Sequence, residues 1–215
     1  MNNGNYELVV FDLDSTLVDG EGIVALARAA GVEEEVKRVT EEAMRGELDF
    51  GESLRRRVAH LEGMTVEEAH DALRSLETTP NAVEVCRRIE PDIAVFSGGF
   101  YPAAEPVAEA IGAKHVRANR LVSRDGVLTG EVEGELVDDD KGEVLRRLAL
   151  EEGYDEDKIL VVGDGSNDVP MMRVGSCAVG FDPKPVVRDA ADVSVDRRDF
   201  RELEPILEKK GVINR

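Results

Sequence analysis

Apolar positions along the chain come in short unbroken runs divided by stretches of helical spacing. ELVVFDL (7–13), DIAVFS (92–97), KILVVGD (158–164) and SCAVGF (176–181) are of strand length, and DVSV (192–195) is a weaker fifth. Runs that are apolar throughout, rather than at every second position, suit strands covered on both faces. Helix-patterned segments at 81–90, 102–112, 141–152, 168–174 and 184–190 separate most of them. This alternation predicts an α/β fold: a doubly wound, Rossmann-like parallel sheet whose ligands bind beyond the carboxyl ends of the strands.

The alternation lapses once. From 22 to 76 the spacing is helical throughout, broken by Gly31, Gly46, Gly51 and Gly63, and Thr65 with Glu68 forms a capping box that starts a helix. We read residues 18–77 as a small helical cap inserted into an α/β core made of 1–17 and 78–215. A second interruption, 120–134, alternates on either side of Asp125-Gly126, the strongest hairpin signal in the chain. The tail 200–212 has the pattern of a closing amphipathic helix.

Length and composition narrow the function classes. At 215 residues and 42% hydrophobic content the chain can bury one core plus a small appended unit. Its 46 acidic and 27 basic residues leave a formal charge of -19, which disfavours nucleic acid or an anionic membrane as partner. An anionic substrate therefore needs a local basic pocket. Twenty of the 27 basic residues are arginine, and this acidic, lysine-poor, halophile-like composition leads us to expect a protein adapted to a salt-rich cytoplasm. Cys86 and Cys177 stand too far apart for a metal motif and read as reduced, buried thiols. No basic segment leads into an apolar stretch at the amino terminus, and no run of membrane-spanning length occurs, so the expectation is a soluble, cytoplasmic protein. Monomer and homodimer both stay open.

The chemistry gathers at the strand ends. Asp12 and Asp14 lie two apart where the first apolar run stops, so an extended backbone puts both carboxylates on one side. Like charges that close are relieved by a divalent cation or by a retained proton. A held carboxylate beside a protonated one supplies the nucleophile and the general acid of a covalent route to phosphate-ester cleavage, although an isolated D-x-D is also an ordinary turn. Ser97 and the Gly98 amide end the second run and can hold phosphoryl oxygens. Lys141 stands where a helix begins, within a charged run, and offers one ammonium to an anion. Asp164, Asn167 and Asp168 follow another buried run, and short oxygen-bearing side chains among glycines suit Mg²⁺. Four such elements at successive strand ends are hard to explain as turns.

In that order the residues resemble the haloacid dehalogenase superfamily of phosphatases, whose four motifs match DLDST (12–16), SGG (97–99), Lys141 and GDGSND (163–168). The cap is similar to that of the superfamily's phosphoserine-cleaving branch at VDGE (18–21), AGVEEEV (30–36), EEAMRGELDF (41–50) and SLRRRV (53–58), as are ANRL (118–121) and GEVEGE (130–135). The resemblance implies Asp12 as nucleophile and Asp14 as acid and then base. It implies Mg²⁺ held by Asp12, the main-chain carbonyl of Asp14, and Asp164. Ser97, Gly98 and Lys141 would bind the phosphoryl group, Asn167 would orient groups around it, and Asp168 would support Lys141 or a metal-bound water. From the cap, Glu21 would meet the substrate ammonium and Arg57 its carboxylate, with Met44 and Phe50 closing the apolar side. The reaction so implied is hydrolysis of O-phospho-L-serine, the last step of serine biosynthesis. Gly22 stands where relatives often carry a hydroxyl residue and Ser166 where alanine is common.

Three rival readings are weaker. The same chemistry fits another small phosphomonoester or phosphoryl transfer to an alcohol such as homoserine. A calcium-binding loop starting at Asp12 fails because Leu17 and Ile23 occupy the positions that need glycine and a bidentate glutamate. A phospho-acceptor signalling domain has no use for the inserted helices. His60, His70 and His115 lie outside all the motifs and do not cluster in sequence.

Overall fold

The computed structural model describes residues 6–213. β1 (Leu8–Asp12) is buried along its length, with Val9 and Phe11 turned into one hydrophobic cluster and Leu8 and Val10 into another. That two-sided burial is why it reads as an unbroken apolar run. Five helices lie between it and the next strand, and the first four form the inserted group: α1 (Gly22–Ala30), α2 (Glu33–Met44), α3 (Phe50–Ala59) and α4 (Val66–Arg74). The chain continues through α5 (Ala82–Cys86), β2 (Asp92–Phe100), α6 (Tyr101–Ile111), β3 (His115–Arg124), β4 (Val127–Glu133), α7 (Glu135–Asp138) and α8 (Lys141–Glu152). It ends with β5 (Ile159–Gly163), α9 (Val169–Met172), β6 (Cys177–Phe181), α10 (Pro185–Ala190), β7 (Val193–Val195) and α11 (Glu204–Lys209).

The strands form one sheet in the order β4-β3-β2-β1-β5-β6-β7, parallel except where β3 and β4 pair as a hairpin. The winding runs outward from β1 to β3 and then crosses back to β5 on the other side of β1. A switch of this kind opens a crevice at the carboxyl ends of the central strands. No helix among the described residues is long and apolar enough to cross a membrane. Cys86 and Cys177 are buried free thiols.

The four inserted helices are attached by two paired linkers. Val18 bridges Thr78, the Asp19 amide donates to the Glu77 carbonyl at 2.8 Å, and the Thr79 amide donates to the Leu17 carbonyl at 2.9 Å. Entry and exit therefore run side by side, and the helices can be inserted without breaking the sheet. Asp49 caps α3 by accepting from the Glu52 amide, and Thr65 with Glu68 forms the reciprocal capping box of α4. Leu26, Val58 and Leu73 of the insertion join the same buried cluster as Phe11 of the sheet.

Four details depart from the sequence reading. Gly51 does not break a helix: it is the second residue of α3 and packs closely under the Val137 carbonyl. β2 does not stop at Ser97 but runs to Phe100, with its pairing to β3 slipping between Phe96 and Phe100. The first half of β3 pairs in parallel with β2, a strand that HVRAN conceals because polar residues interrupt its apolar ones. The tail is shorter than its pattern, a 3-10 turn at Phe200–Glu202 followed by α11.

Candidate active site

The strand ends deliver the polar groups to one crevice. Asp12 closes β1 and is 2% exposed. Asp14 lies past the strand, and its carboxylate turns toward different partners: Oδ1 accepts from the Gly22 amide at 2.6 Å and Oδ2 from Ser97 Oγ at 3.0 Å. Ser97 Oγ in turn accepts from the Gly99 amide at 2.9 Å, and Asn119 Nδ2 donates to the Gly98 carbonyl at 3.0 Å. The irregular end of β2 is thus tied on both sides. Asn119 belongs to the stretch ANRL, and it holds the Gly98 peptide in place.

Lys141 is the first residue of α8, capped by Asp140, whose carboxylate accepts from the Gly142 and Glu143 amides at 2.8 and 3.0 Å. Helix side chains lean toward the amino-terminal end, so the ammonium reaches back to the strand ends. Its Nζ donates to Asp12 Oδ1 and, at 2.6 Å, to Asp168 Oδ1. Asp168 Oδ2 accepts from the Asp164 and Gly165 amides at 2.9 and 3.0 Å. Asp168 therefore buttresses the lysine and the loop that carries Asp164.

A cavity of about 140 Å³ sits over these groups, with Asp12, Asp14 and Asp164 on the sheet side and Glu21 and Arg57 on the side of the inserted helices. Arg57 is buried, and its Nε donates to the Ser53 carbonyl at 3.2 Å. Asn167 and Gly98 also face the cavity. Phe50 covers Gly98 so closely that a Cβ there would lie 2.6 Å from the ring. Met44, by contrast, is not brought to the site: it ends α2 at 83% exposure, and the turn that follows carries the chain back to Phe50 without folding the thioether inward. The apolar residues that line the cavity beside Phe50 are instead Ile23 and Leu54.

Electrostatics follow from burial. Burial lifts the Asp12 carboxyl well above the ordinary carboxylate range, Asp168 adds to this, and Lys141 opposes it. Asp164 and then Asp14 contribute less, so the like-charge neighbour that matters most to Asp12 is Asp168, not the residue two positions away. Asp14 is also raised by burial, against the pull of the Gly22 amide and the Ser97 hydroxyl. Burial carries Asp164 to about 6, with Lys184 pulling the other way. Burial depresses Arg57, while Glu21 and Asp14 support its charge. Lys141 stays firmly protonated: burial works against its charge, but Asp12 and Asp168 outweigh it.

Besides Ile23 and Leu54, sequence reasoning missed a charged site residue, Lys184. It lines the cavity from the turn after β6, with Nζ 3.5 Å from Asp164 Oδ2. Its signal was positional, since DPKP follows the carboxyl end of a buried run just as GDGSND does. Of the histidines, His115 lies away from the site, bonded to the Tyr154 hydroxyl at 2.9 Å.

Comparison with known proteins agrees with this geometry. A family model of haloacid dehalogenase-like hydrolases matches residues 9–173. A phosphoserine phosphatase of Methanocaldococcus jannaschii is 41% identical over 92% of this chain and 95% of its own length. One of Wolinella succinogenes is likewise 41% identical, over 92% of this chain and 98% of its own. Among solved structures, a phospho-aspartyl intermediate analogue of phosphoserine phosphatase superposes with a TM-score of 0.86 at 41% identity, covering 94% of this chain and 98% of that one. A substrate-bound phosphoserine phosphatase complex superposes at 0.87 and 40% identity over the same shares.

Proposed function

The chain belongs to the haloacid dehalogenase-like hydrolases, and from that membership we propose that it hydrolyses O-phospho-L-serine to L-serine and phosphate through an aspartyl phosphate on Asp12. The observation that carries the reading is one cavity with Asp12, which Lys141 holds from behind, and Asp14 on one wall and Glu21 with Arg57 on the other. Phosphoserine presents a phosphate, an ammonium and a carboxylate. Glu21 answers the ammonium and Arg57 the carboxylate, for which a guanidinium fork is the better partner.

In the first half-reaction an Asp12 carboxylate oxygen attacks phosphorus, the bond from phosphorus to the seryl oxygen breaks, and Asp14 gives that oxygen its proton. In the second, water attacks the acyl phosphate, Asp14 takes the proton, and phosphate leaves with the Asp12 carboxylate restored. The raised Asp14 carboxyl suits an acid that must hold a proton near neutrality. Ser97, the Gly98 amide, Asn167 and Lys141 cradle the phosphoryl oxygens, and Asp168 keeps Lys141 in place. The inserted helices act as the cap that excludes bulk water.

The donor set fits a divalent cation. Asp12, Asp14, Glu21, Asp164 and Asp168 are five carboxyl groups against three cations, Arg57, Lys141 and Lys184, a formal excess of two negative charges when all are ionised. Carboxyl oxygens of Asp12, Asp164 and Asp168 lie within 4.8 Å of one another. Hard oxygen donors of this kind suit Mg²⁺. Asp168 is already engaged by Lys141 and two amides, so of the three it is Asp12 and Asp164 that would hold the ion, and the resemblance to the family adds the Asp14 main-chain carbonyl. When bound, the ion supplies the positive charge that lets a phosphate dianion approach the aspartates.

The test is phosphate release from a panel of phosphomonoesters with and without Mg²⁺. Phosphoserine should lead the panel, and Asp12→Asn should lower turnover on the order of 10⁴-fold or more without unfolding the protein. Arg57→Ala should cost phosphoserine roughly 10²-fold in kcat/KM and a simple aryl phosphate far less. Substantial turnover in the Asp12 variant would end the covalent mechanism, and equal losses on both substrates would end the assignment of Arg57.

A further inference from the structure

We propose that Lys184 is a further substrate-binding residue, an ammonium at the rim of the cavity that receives the phosphate end of the phosphomonoester. The inference rests on the phosphatase reading and adds a residue to it.

Lys184 is held in place by its backbone rather than left on a loose loop. Pro183 and Pro185 flank it, fixing the main chain on both sides. Its amide donates to the Asp164 carbonyl at 2.9 Å, so its Cα is tied to the loop that carries a principal site carboxylate. Nζ points at the crevice, 3.5 Å from Asp164 Oδ2 and 3.6 Å from where a Gly165 Cβ would stand.

The three cations of the site differ in what an incoming anion can reach. The Lys141 side chain is 4% exposed and already donates to two carboxylates. Arg57 is 8% exposed and lies on the opposite wall, beside Glu21. The Lys184 side chain is 58% exposed and makes one long ion pair, leaving donors for a ligand. In a protein of formal charge -19 with five carboxylates at its site, a dianion must be met by positive charge at the entrance. Lys184 alone among the three is placed to meet it. The bland alternative is that the lysine merely steadies Asp164.

Lys184→Met and Lys184→Arg separate the two. If the ammonium meets phosphate, Lys184→Met should raise KM for phosphoserine and for an aryl phosphate alike by about tenfold, a larger change than any fall in kcat. Inorganic phosphate should bind more weakly by a similar factor in calorimetric titration of the Mg²⁺-loaded protein. The fall of kcat/KM with added KCl should flatten, and Lys184→Arg should recover most of each loss. If kcat falls while KM and phosphate affinity stay put, Lys184 is only a support for Asp164 and the proposal is overturned. A wild-type enzyme that ignored phosphoserine yet cleaved other phosphomonoesters would sink the substrate reading, and the phosphate titration would still decide the lysine.

Discussion

Asp12 and Asp14 are two residues apart, yet their carboxylates look in different directions, one toward Lys141 and one toward Gly22 and Ser97. Their proximity is therefore less a like-charge clash than a division of labour at the end of one strand. Burial raises the carboxyl pKa values of Asp12 and Asp164, and the charge of Asp168 beside them adds to it. It has a consequence for stability. Asp164 titrates at about 6 in the folded protein, against about 4 for an ordinary aspartate, so between those values the native state binds more protons than the unfolded chain. This group's contribution to stability thus falls as pH rises through that window, and Asp12 and Asp14 act in the same direction. A cation held by these carboxylates offsets the loss. Thermal melts with chelator and with Mg²⁺ should accordingly diverge as pH rises from about 4 to about 6, and Asp164→Asn should narrow the gap. A gap that does not change with pH would refute this account of the cluster.

At the scale of elements, α3 carries three of the groups that line the cavity. Phe50, Leu54 and Arg57 fall at i, i+4 and i+7 and so share the face that lines the cavity. The opposite side of the same helix start is pressed on α7, where Gly51 lies against the Val137 carbonyl and Arg55 pairs with Asp138. Gly51→Ala would drive a methyl into that carbonyl and tilt α3 off the cavity. We expect a rise of roughly tenfold or more in KM for phosphoserine, because contacts from all three residues shift together. The capping box of α4 makes the control: Thr65→Ala should cost about 1 kcal/mol of stability and leave KM nearly unchanged. Denaturant unfolding and steady-state kinetics on both variants check this, and a Gly51→Ala enzyme of normal KM would show that α3 is not set by that contact.

Over the whole molecule the excess of acid dominates. A charge of -19 on 215 residues destabilises the compact state by self-repulsion, and exposed pairs such as Arg45–Glu47 and Arg146–Glu143 each return little. Salt screens repulsion over distances longer than any one pair. Unfolding midpoints should therefore rise from low to molar KCl. A flat or falling midpoint would mean that the acidic surface has no bearing on salt adaptation.

Much of this was legible in the chain itself. Strands buried on both faces must be apolar throughout, so β1, β2, β5 and β6 announce themselves, and the polar residues that close such runs pick out Asp12, Ser97 and Asp164, although β2 itself goes on to Phe100. Capping is local too, which is why the starts of α4 and α8 could be read. Other features needed the folded chain. HVRAN becomes a strand only because β2 offers it a partner, and Met44 stays in solvent because of how α2 ends, not because of its residue type. Asp168 outweighs Asp14 beside Asp12, and Lys184 comes to the rim, through packing between segments far apart in sequence. Periodicity and capping act over a few residues, and they set the elements and the list of reactive groups. Which of those groups face one another depends on how loops from separate strands dock at a common edge, and the tertiary structure alone decides that.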